Sequence, residues 1–513
     1  MKFLFRVDAS LRIGTGHVMR CLTLAKALAA TGAQCHFACR EHPGNLIDFI
    51  RQQGFEVAAL PMPKDPQPIG DEAEVSALAH SAWLGCDWST DAAQTKVGAG
   101  GKANDWLVVD HYALDASWES AMRNVAKKIM VIDDLADRRH ECDVLLDQNF
   151  YVDMNSRYVD KVPPHCRMLL GPRFALLREE FREWRAQVRP RSGEVKRILM
   201  FFGGIDTANF TGLAIKALSA LRIKGVEVDV VIGAQHPQRS EIEQACGMQG
   251  YACHVQTSRM AELMVAADLA IGAGGSATWE RCCLGLPALS ICTAENQRKQ
   301  IADAAEAGLL YAPFGEGDLV NLIRHHGKCL LENVSLLKLI SNTAMKMVDG
   351  LGAFRVGSEI SSLEKGANNV YVRLAVADDA AVVWAWRNNE STRRYFFDPS
   401  PVGLETHVAW WNLSVLDPKR VLLIGSLGVR SFGVIRFDFD ASESAVISIY
   451  VDSEMTGKGL GRKLLSAGLN WLKENHPEMS SVSAEILPEN SVSVNVFQAA
   501  GFSEQYRVFA LKF

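Results

Sequence analysis

The sequence predicts an α/β protein with two Rossmann-like lobes followed by a smaller mixed α/β domain. Two series of alternating predicted strands and helices, over residues 1–165 and 196–350, indicate parallel sheets with helices on both faces. After residue 370 the predicted strands come close together, which is typical of antiparallel pairing. A chain of 513 residues is also too long for one hydrophobic core, so several domains are expected.

Composition and charge exclude several classes of function. The formal net charge is −5 and no long basic run occurs, so neither nucleic acid nor an anionic membrane is an expected partner. The first apolar stretch is too short for a signal peptide, and Arg6 and Asp8 interrupt it. No apolar run is long enough for a membrane span. The 12 cysteines are scattered without Cys-x-x-Cys spacing, so we expect reduced thiols and a cytoplasmic protein.

The opening of the chain predicts a strand, a turn and a helix. The apolar run at 3–7 is typical of a buried strand. Apolar residues recur at helical spacing over 18–29, and Gly32 follows as a stop signal. Between them, Gly14 and Gly16 permit a tight turn. The other elements predicted in this lobe are strands 34–39, 56–60, 106–110, 128–133 and 144–147 and helices 44–53, 72–84, 89–97 and 117–126.

A segment rich in proline and arginine, residues 163–195, predicts a crossover to a second lobe that extends over 166–350. Ligands of such lobes bind at the carboxyl ends of the strands, so a cleft between the two lobes is expected. The elements predicted here are strands 198–202, 227–232, 251–255, 269–271 and 288–291 and helices 209–223, 259–266, 277–284, 297–307 and one that ends at 247.

Glycine, serine and asparagine between residues 351 and 369 predict a linker, after which a third domain covers 370–513. This domain mixes closely spaced strands with one long helix. The predicted elements are strands 421–424, 433–438, 446–451 and 482–485, helices 460–474 and 491–500, and a strand at the carboxyl terminus.

The turn before the first predicted helix places a histidine where a phosphate group can bind. Backbone N–H groups at a helix N-terminus attract anions, so a diphosphate near Gly14 and Gly16 would lie beside His17. Imidazole is well suited to take a proton near neutral pH. We therefore predict that His17 is a catalytic base, the alternative being a capping or core histidine.

Carboxylates end two predicted strands of the first lobe, at Asp110 and at 133–134. Side chains at the carboxyl ends of parallel strands face the ligand crevice, which makes Asp110 a candidate for binding sugar hydroxyls. A carboxylate at this place can equally cap the following helix. The sequence leaves both roles open.

Glycine-bearing turns in the second lobe are candidates for binding a nucleoside diphosphate. Each turn follows a predicted strand and precedes a helix, which allows close approach of the backbone to phosphate. Glu280 falls on the first turns of one of these helices, where a carboxylate can bind a ribose diol. The candidate UDP-binding residues are Gly203, Gly204, Gly274, Gly275, Ser276, Glu280, Asn296 and Gln297.

At these residues the sequence resembles the UDP-sugar hydrolases of pseudaminic acid biosynthesis (PseG type). The resemblance is carried by Arg-x-Asp-x-Ser at 6–10 and Ile-Gly-Thr-Gly-His-Val-Met-Arg-Cys-Leu at 13–22, with further parts at 131–136, 147–149, 171–178 and 295–297. It covers about residues 1–350 and implies the two-lobed glycosyltransferase B fold. It also implies hydrolysis of UDP-2,4-diacetamido-2,4,6-trideoxy-β-L-altropyranose to UDP and free sugar.

Within this resemblance His17 matches the proposed base of the family, and Arg6 and Asp8 match its opening motif at the UDP-sugar site. The sequence shows no acidic cage, so we expect no metal ion. A glycosyltransferase would use the same UDP-sugar site with an acceptor alcohol in place of water. Periodicity and spacing do not distinguish the two reactions.

The third domain carries a second glycine-rich loop, Thr-Gly-Lys-Gly-Leu-Gly at 456–461, between a predicted strand and the long helix. With Asn-x-x-Ser-x-x-x-Phe at 490–497 it resembles the GCN5-related N-acetyltransferases (GNAT), which implies acetyl-CoA as co-substrate. Phenylalanine stands where that superfamily commonly has a tyrosine acid, and Glu485 matches the expected base. The implied acetyl-CoA-binding residues are Val451, Lys458, Gly459, Leu460, Gly461, Asn490, Ser493 and Phe497.

The start of this domain resembles the acetyltransferases (PseH type) that act on UDP-4-amino sugars, through Trp-x-Trp-Arg-Asn at 384–388, Arg393 and His-x-x-Trp at 407–410. Arg387 and Asn388 are candidate substrate contacts. The resemblance implies a bifunctional chain, a monomer or homodimer, whose acetyl transfer makes the substrate of its hydrolase. An acetyltransferase with another target, or an inactive acyl-CoA-binding module, remain the alternatives.

Overall fold

The computed structural model of the chain shows two parallel sheets followed by one mixed sheet. It divides into two compact units, Met1–Gly357 and Ser358–Phe513, which are described separately. The described residues are 1–63, 78–101, 104–223, 225–313, 318–364, 370–427, 430–440 and 443–505, apart from the side chains of residues 296, 362, 364 and 378.

The first lobe is built on seven parallel strands, and burial is greatest in the five strands between the two edges. They are β1 (Lys2–Val7), β2 (Gln34–Arg40), β3 (Glu56–Leu60), β4 (Asn104–Asp110), β5 (Ala126–Ile132), β6 (Val144–Asp147) and β7 (Arg167–Leu170). The sheet order is β3-β2-β1-β4-β5-β6-β7. The order of the strands along the chain reverses between β1 and β4, and a ligand crevice is expected outside the carboxyl ends of these two strands.

Four helices connect the strands of this lobe: α1 (Gly16–Ala30), α2 (Ile47–Gln52), α3 (Trp88–Gly98) and α4 (Ala116–Ala121). The helix predicted over 117–126 is too long, because residue 125 already joins the sheet by accepting a hydrogen bond from the Asn104 N–H. Of the helix predicted over 72–84, residues 72–77 lie outside the described part, and Ser81–Trp83 form one 3₁₀ turn.

The second lobe contains five parallel strands: β8 (Arg197–Phe201), β9 (Glu227–Ile232), β10 (Ala252–Val255), β11 (Leu269–Ala273) and β12 (Ala288–Ile291). Their order is β10-β9-β8-β11-β12, so this crevice lies beyond β8 and β11. The helices are α5 (Glu179–Arg185), α6 (Phe210–Ser219), α7 (Arg239–Gln249), α8 (Met260–Ala266), α9 (Ser276–Cys283), α10 (Arg298–Glu306), α11 (Leu319–Leu331) and α12 (Val334–Met347).

The segment predicted as a crossover, 163–195, contains regular structure that the sequence analysis missed. It supplies β7 to the first sheet and α5 to the second lobe, where Phe181 is fully buried. The guanidinium of Arg191 donates to backbone carbonyls of α8 and of Ala267, and these bonds fix the segment against the second lobe.

The linker predicted over 351–369 is not irregular throughout, since Gly352–Glu364 forms α13. Its buried side chains, Val356 and Ile360, recur at helical spacing, which outweighs the glycine and serine content of the segment. The division between the two units falls inside this helix, and the predicted domain boundaries remain predictions.

The mixed sheet of the C-terminal unit has the order β13-β14-β15-β16-β17, antiparallel except for the last pair. Its strands are β13 (Val370–Leu374), β14 (Arg420–Leu427), β15 (Arg430–Phe439), β16 (Ser444–Val451) and β17 (Ser481–Ala484). Its helices are α14 (Ala380–Asn388), α15 (Glu390–Arg393), α16 (Leu404–Ser414), α17 (Leu460–Asn475) and α18 (Ser491–Ala499).

The predicted fold class is confirmed: two parallel Rossmann-like sheets precede a mixed sheet. The sequence analysis missed β13, α15 and α16, whose patterns are short or rich in aromatic residues. The predicted carboxyl-terminal strand lies outside the described residues. In the part of the chain that the structure describes, no helix is long and apolar enough to span a membrane.

Candidate active sites

The loop before α1 places His17 at the carboxyl end of the first sheet. Gly14 adopts the left-handed backbone conformation with φ +79°, and its N–H donates to the Ser10 carbonyl over 2.8 Å. Helix α1 then begins at Gly16, and no side chain among the described residues caps its first turn. The backbone N–H groups of this turn are therefore available to an anion, as the sequence predicts.

His17 is paired with Asp110 at the end of β4, with Nδ1 and Oδ1 separated by 2.6 Å. An ionised carboxylate only accepts hydrogen bonds, so in the neutral imidazole Nδ1 carries the proton and Nε2 has the lone pair. Asp110 is 1 % exposed, which corrects the prediction that it touches the sugar. Its pKa lies below the ordinary value, because the charge of Arg20 and the contact with His17 outweigh burial, which alone would raise it.

Arg20, which the sequence analysis did not single out, organises the carboxylates around His17. Its Nε and Nη2 atoms each donate to Asp110 over 2.7 Å, and its Nη1 donates to Asp134 over 2.7 Å. The sequence did contain a signal for Arg20: it follows His17 by three residues, and residues three apart on a helix lie on one face. One guanidinium thus pairs with two strand-end carboxylates.

Aromatic rings flank His17. The ring of Tyr112 meets it edge-on with centroids 4.7 Å apart, and Trp83 stacks on Tyr112 at 5.7 Å. His80 lies 4.4 Å from Trp83, centroid to centroid. The Tyr112 hydroxyl donates to Asp134, which holds the ring in place. Trp83 and His80 were missed because the sequence predicted only a helix for their segment.

Arg6 and Asp8 are not placed to contact a ligand, which corrects their predicted role at the UDP-sugar site. Both side chains are fully buried. Arg6 donates to Asp8 over 2.6 and 2.8 Å and to Asp91 over 2.6 and 3.1 Å. Asp8 also accepts from the backbone N–H of Arg40 over 2.6 Å. The motif therefore forms a buried ion-pair network beneath the crevice.

The glycine turns of the second lobe lie at the carboxyl ends of β8 and β11, on both sides of the point where the strand order reverses. Gly203 has φ +105° and Gly275 has φ +81°, conformations that favour glycine. A side chain on Gly274 would come within 2.7 Å of Ile301. Helix α9 begins at Ser276, again without a side-chain cap among the described residues.

Gln297 lies next to this turn, as predicted. Its Oε1 would be 3.3 Å from a Cβ on Gly274, and it accepts a hydrogen bond from the Thr293 hydroxyl over 3.1 Å. The side chain of Asn296 lies outside the described part, so its predicted contact stays a prediction. The structure thus brings two distant segments of the predicted UDP site together.

Glu280 is held by Arg178, with 3.5 Å between the carboxylate and Nη2. Burial raises the pKa of Glu280, while the Arg178 charge opposes that effect. Its side chain keeps 18 % of its surface exposed, so a hydroxyl can still reach the carboxylate. Arg178 also pairs with Glu180 over 2.7 Å and thereby bridges α5 and α9.

In the C-terminal unit the predicted acetyl-CoA loop, residues 456–459, is exposed on the surface. Gly457 and Gly459 have φ +75° and +70°, and α17 starts directly after them without a side-chain cap among the described residues. The Lys458 ammonium donates to the Glu454 carbonyl over 3.2 Å. The backbone amides of the loop and of the first turn of α17, including that of Gly461, are therefore open to an anion.

Strands β16 and β17 pair only from Ser444 to Ile447, so the last part of β16 runs on beyond its partner. Val451 ends this unpaired part, and Glu485 follows β17 as an exposed carboxylate. The diverging strands leave backbone groups of β16 accessible to an extended ligand between them. This geometry agrees with the roles predicted for Val451 and Glu485 and leaves them as predictions.

Three predicted acetyl-CoA residues use their side chains for contacts within the protein, and their contacts with acetyl-CoA stay predictions. Leu460 and Phe497 are each 5 % exposed and belong to the core beneath α17, where the Phe497 ring meets Phe502 edge-on at 5.0 Å. Asn490 caps α18, because its Oδ1 accepts from the Ser493 N–H over 3.1 Å. A helical apolar period and an N-cap explain these residues without a ligand.

Arg387 and Asn388 hold a loop of their own unit, and their contacts with a substrate stay predictions. Arg387 donates to the Ser400 carbonyl over 2.9 Å. Asn388 exchanges two hydrogen bonds with the backbone of Val402, over 2.7 and 3.0 Å. Across the described ranges no group of three or more histidine, cysteine or acidic side chains is arranged to hold a metal ion.

Comparison with known proteins finds similarity for both parts of the chain. Residues 369–503 match the family model described as acetyltransferase (GNAT) domain. The C-terminal domain is a GNAT acetyltransferase domain. The N-terminal part is similar to the UDP-2,4-diacetamido-2,4,6-trideoxy-β-L-altropyranose hydrolase of Campylobacter jejuni, with 24 % identity over 60 % of this chain and 97 % of that protein.

Two further relatives match. The spore coat polysaccharide biosynthesis protein SpsG of Bacillus subtilis is 27 % identical over 42 % of this chain and 63 % of its own length. A protein of Methanocaldococcus jannaschii, named as uncharacterized protein MJ1062, is 22 % identical over 98 % of this chain and 97 % of its own. The chain is a fusion of a GNAT domain with a region homologous to nucleotide-sugar enzymes.

Among solved structures, MurG of Acinetobacter baumannii covers 70 % of this chain and 99 % of its own, with 13 % identity and a TM-score of 0.47. The acetyltransferase AAC(6')-Ib, solved with paromomycin and acetyl-CoA, covers 27 % of this chain and 85 % of its own, with 22 % identity and a TM-score of 0.25.

Proposed function

We propose that the N-terminal unit hydrolyses UDP-2,4-diacetamido-2,4,6-trideoxy-β-L-altropyranose to free sugar and UDP. The observation that carries this proposal is the 2.6 Å pair between His17 Nδ1 and Asp110, which leaves Nε2 as a base beside an uncapped helix start. Similarity to almost the whole length of a hydrolase with this substrate supports the same reaction.

In this mechanism His17 Nε2 takes a proton from water while the water oxygen bonds to the anomeric carbon. The bond from that carbon to the diphosphate oxygen breaks, and its electron pair leaves with UDP. The amides of Gly275 and Ser276 at the start of α9 stabilise the diphosphate, and Glu280 accepts from the ribose. Asp110 and Arg20 hold the imidazole in one tautomer.

We further propose that the GNAT domain transfers an acetyl group from acetyl-CoA to the 4-amino group of a UDP-4-amino sugar. The loop at 456–459 and the first amides of α17 would hold the pyrophosphate. Glu485 would take a proton from the amine as its nitrogen attacks the thioester carbonyl, and the C–S bond then breaks. The CoA thiolate would take its proton from water, because Phe497 has none to give.

These reactions are consecutive: acetylation supplies the second acetamido group of the hydrolase substrate. The test is incubation of the full chain with the UDP-4-amino sugar and acetyl-CoA, without an acceptor alcohol, followed by mass spectrometry. We expect CoA, UDP and the diacetamido free sugar. His17→Asn should accumulate the acetylated UDP-sugar, and Glu485→Gln should leave the amino sugar unacetylated.

Exposed His165 provides a matched control, since His165→Asn changes a histidine of the same lobe outside the site. An intact UDP-sugar that is consumed only after an alcohol is added would indicate a glycosyltransferase and contradict the proposed hydrolysis. Binding of acetyl-CoA without release of CoA would identify the C-terminal domain as a binding module. Wild-type turnover in His17→Asn would refute the assignment of the base.

A further inference from the structure

Asn149, two residues beyond β6, connects the two lobes of the N-terminal unit through its side-chain amide. Its Oδ1 accepts from Trp279 Nε1 on α9 over 3.1 Å and from Gln300 Nε2 on α10 over 2.9 Å. Its Nδ2 donates to Asp134 Oδ1 in the first lobe over 2.7 Å. Asn149, Trp279 and Gln300 are all at least nine-tenths buried, so water does not compete for these bonds.

Chemistry fixes the orientation of this amide. An indole N–H only donates, so the atom that faces Trp279 must be the amide oxygen. The NH₂ group therefore faces Asp134, which as a carboxylate accepts. The hydrogen bonds to the second lobe therefore determine that the NH₂ group of Asn149 faces the first lobe.

Asp134 connects Asn149 to His17 through Arg20. Its Oδ2 accepts from Arg20 Nη1 and from the Tyr112 hydroxyl, so both of its oxygens are occupied. Arg20 in turn donates twice to Asp110, the partner of His17 Nδ1. A continuous series of hydrogen bonds therefore runs from α9 and α10 to the imidazole.

We propose that Asn149 is a positioning residue through which the docked second lobe sets the orientation of Asp134 and Arg20 and thereby of His17. The inference rests on the proposed hydrolysis and deepens it. Helix α9 carries Ser276 and Glu280, so the elements that would bind UDP are those that hold Asn149. Binding of the leaving group and alignment of the base are thereby linked.

Two substitutions separate this role from folding. Asn149→Ala removes the link at every pH. Asn149→Asp keeps the shape of the side chain and introduces a carboxyl that can donate to Asp134 only while it is protonated. Burial and the neighbouring carboxylates keep such a group protonated to higher pH than usual. The charged or titratable side chains on the first-lobe elements around this position include Arg20, Tyr112, Asp133, Asp134, Asp147, Tyr151, Arg157 and Tyr158. Those on α9 and α10 include Glu280, Arg281, Arg298, Lys299, Asp303 and Glu306.

The experiment measures UDP release by the full chain as a function of pH. We expect Asn149→Ala to lower kcat by about 10- to 100-fold with KM within about threefold, as for loss of an interaction that orients a base. Asn149→Asp should approach wild-type kcat at low pH and fall to the alanine level as the introduced carboxyl ionises. Asn333→Ala, which removes a surface helix cap in the second lobe, controls for loss of stability alone.

Wild-type kcat in Asn149→Ala, or an Asn149→Asp profile parallel to that of the wild type, would overturn the proposal. If the wild type releases no UDP, the proposed hydrolysis fails and the link is tested separately. In that case ¹⁵N chemical shifts of the His17 ring should show the Nδ1–H tautomer in the wild type and in Asn333→Ala. In Asn149→Ala a smaller fraction of His17 should be in the Nδ1–H tautomer, and an unchanged fraction would refute the link.

Discussion

Replacing Asp110 by asparagine tests most directly how the first lobe prepares its base. The substitution keeps the shape of the side chain but removes a charge that receives hydrogen bonds from His17 and twice from Arg20. An asparagine amide presents NH₂ on one side, and in either orientation that NH₂ faces an N–H of Arg20. At least one of the three bonds is therefore lost.

The expected loss of stability in Asp110→Asn follows from the burial of this ion pair. Asp110 is fully buried and Arg20 is 8 % exposed, so the guanidinium left behind cannot recover its hydration. Breaking such a pair costs about 3–5 kcal/mol. We expect the lower end, near 3 kcal/mol, because Arg20 keeps Asp134 as a partner. The amide carries no charge to stabilise the imidazolium that forms when His17 takes a proton, so kcat should fall by about 10²- to 10⁴-fold.

The assay compares UDP release and urea denaturation of Asp110→Asn with those of Asp105→Asn. Asp105 lies on the same strand and pairs with Lys127, which is 67 % exposed, so its substitution should cost less than about 1 kcal/mol. Nearly normal kcat is expected for this control. Wild-type kcat in Asp110→Asn, or equal losses of kcat in both variants, would refute the positioning of His17 by Asp110.

Three further predictions concern stability and binding. Although burial lowers the pKa of His140, the Glu119 carboxylate at 2.8 Å raises it to about 9. The pair should therefore contribute roughly 3 kcal/mol of stability below pH 6.5, and this contribution should be lost as pH rises through 9. His140→Gln should abolish that pH dependence in urea denaturation. Gly274→Ala would crowd Ile301 and should weaken UDP binding in calorimetry. Phe497→Tyr buries a hydroxyl, and thermal melting should show a loss of about 1–3 kcal/mol with no gain in acetyl transfer.

Much of the first site could be predicted because its geometry is local. The turn that ends at His17 is encoded by Gly14 and by the helical period that follows it, and the structure places both as expected. Asp110 was found as a strand-end carboxylate, but its role was not. Whether such a carboxylate faces a ligand or a neighbouring side chain depends on Arg20, which reaches it across 90 residues of sequence.

The side chains that the structure buries, although the sequence analysis placed them at a ligand, share a physical cause. Arg6, Asp8, Leu460 and Phe497 all belong to motifs that border a ligand loop, yet their own side chains point into the protein. A motif beside a ligand loop contains side chains that pack in the core as well as side chains that face the loop, and its spacing does not distinguish them. Only the tertiary contacts distinguish the two, because they show which polar atoms are already satisfied.

The buried carboxylates of the first lobe indicate why its base needs a second lobe at all. Asp110 and Asp134 share one guanidinium, that of Arg20, and Asp110 is also the partner of His17. The amide of Asn149 adds a neutral donor to Asp134, which stabilises its charge without a second cation. Because α9 and α10 hold that amide, a complete base exists only where the lobe that would bind the leaving group is docked.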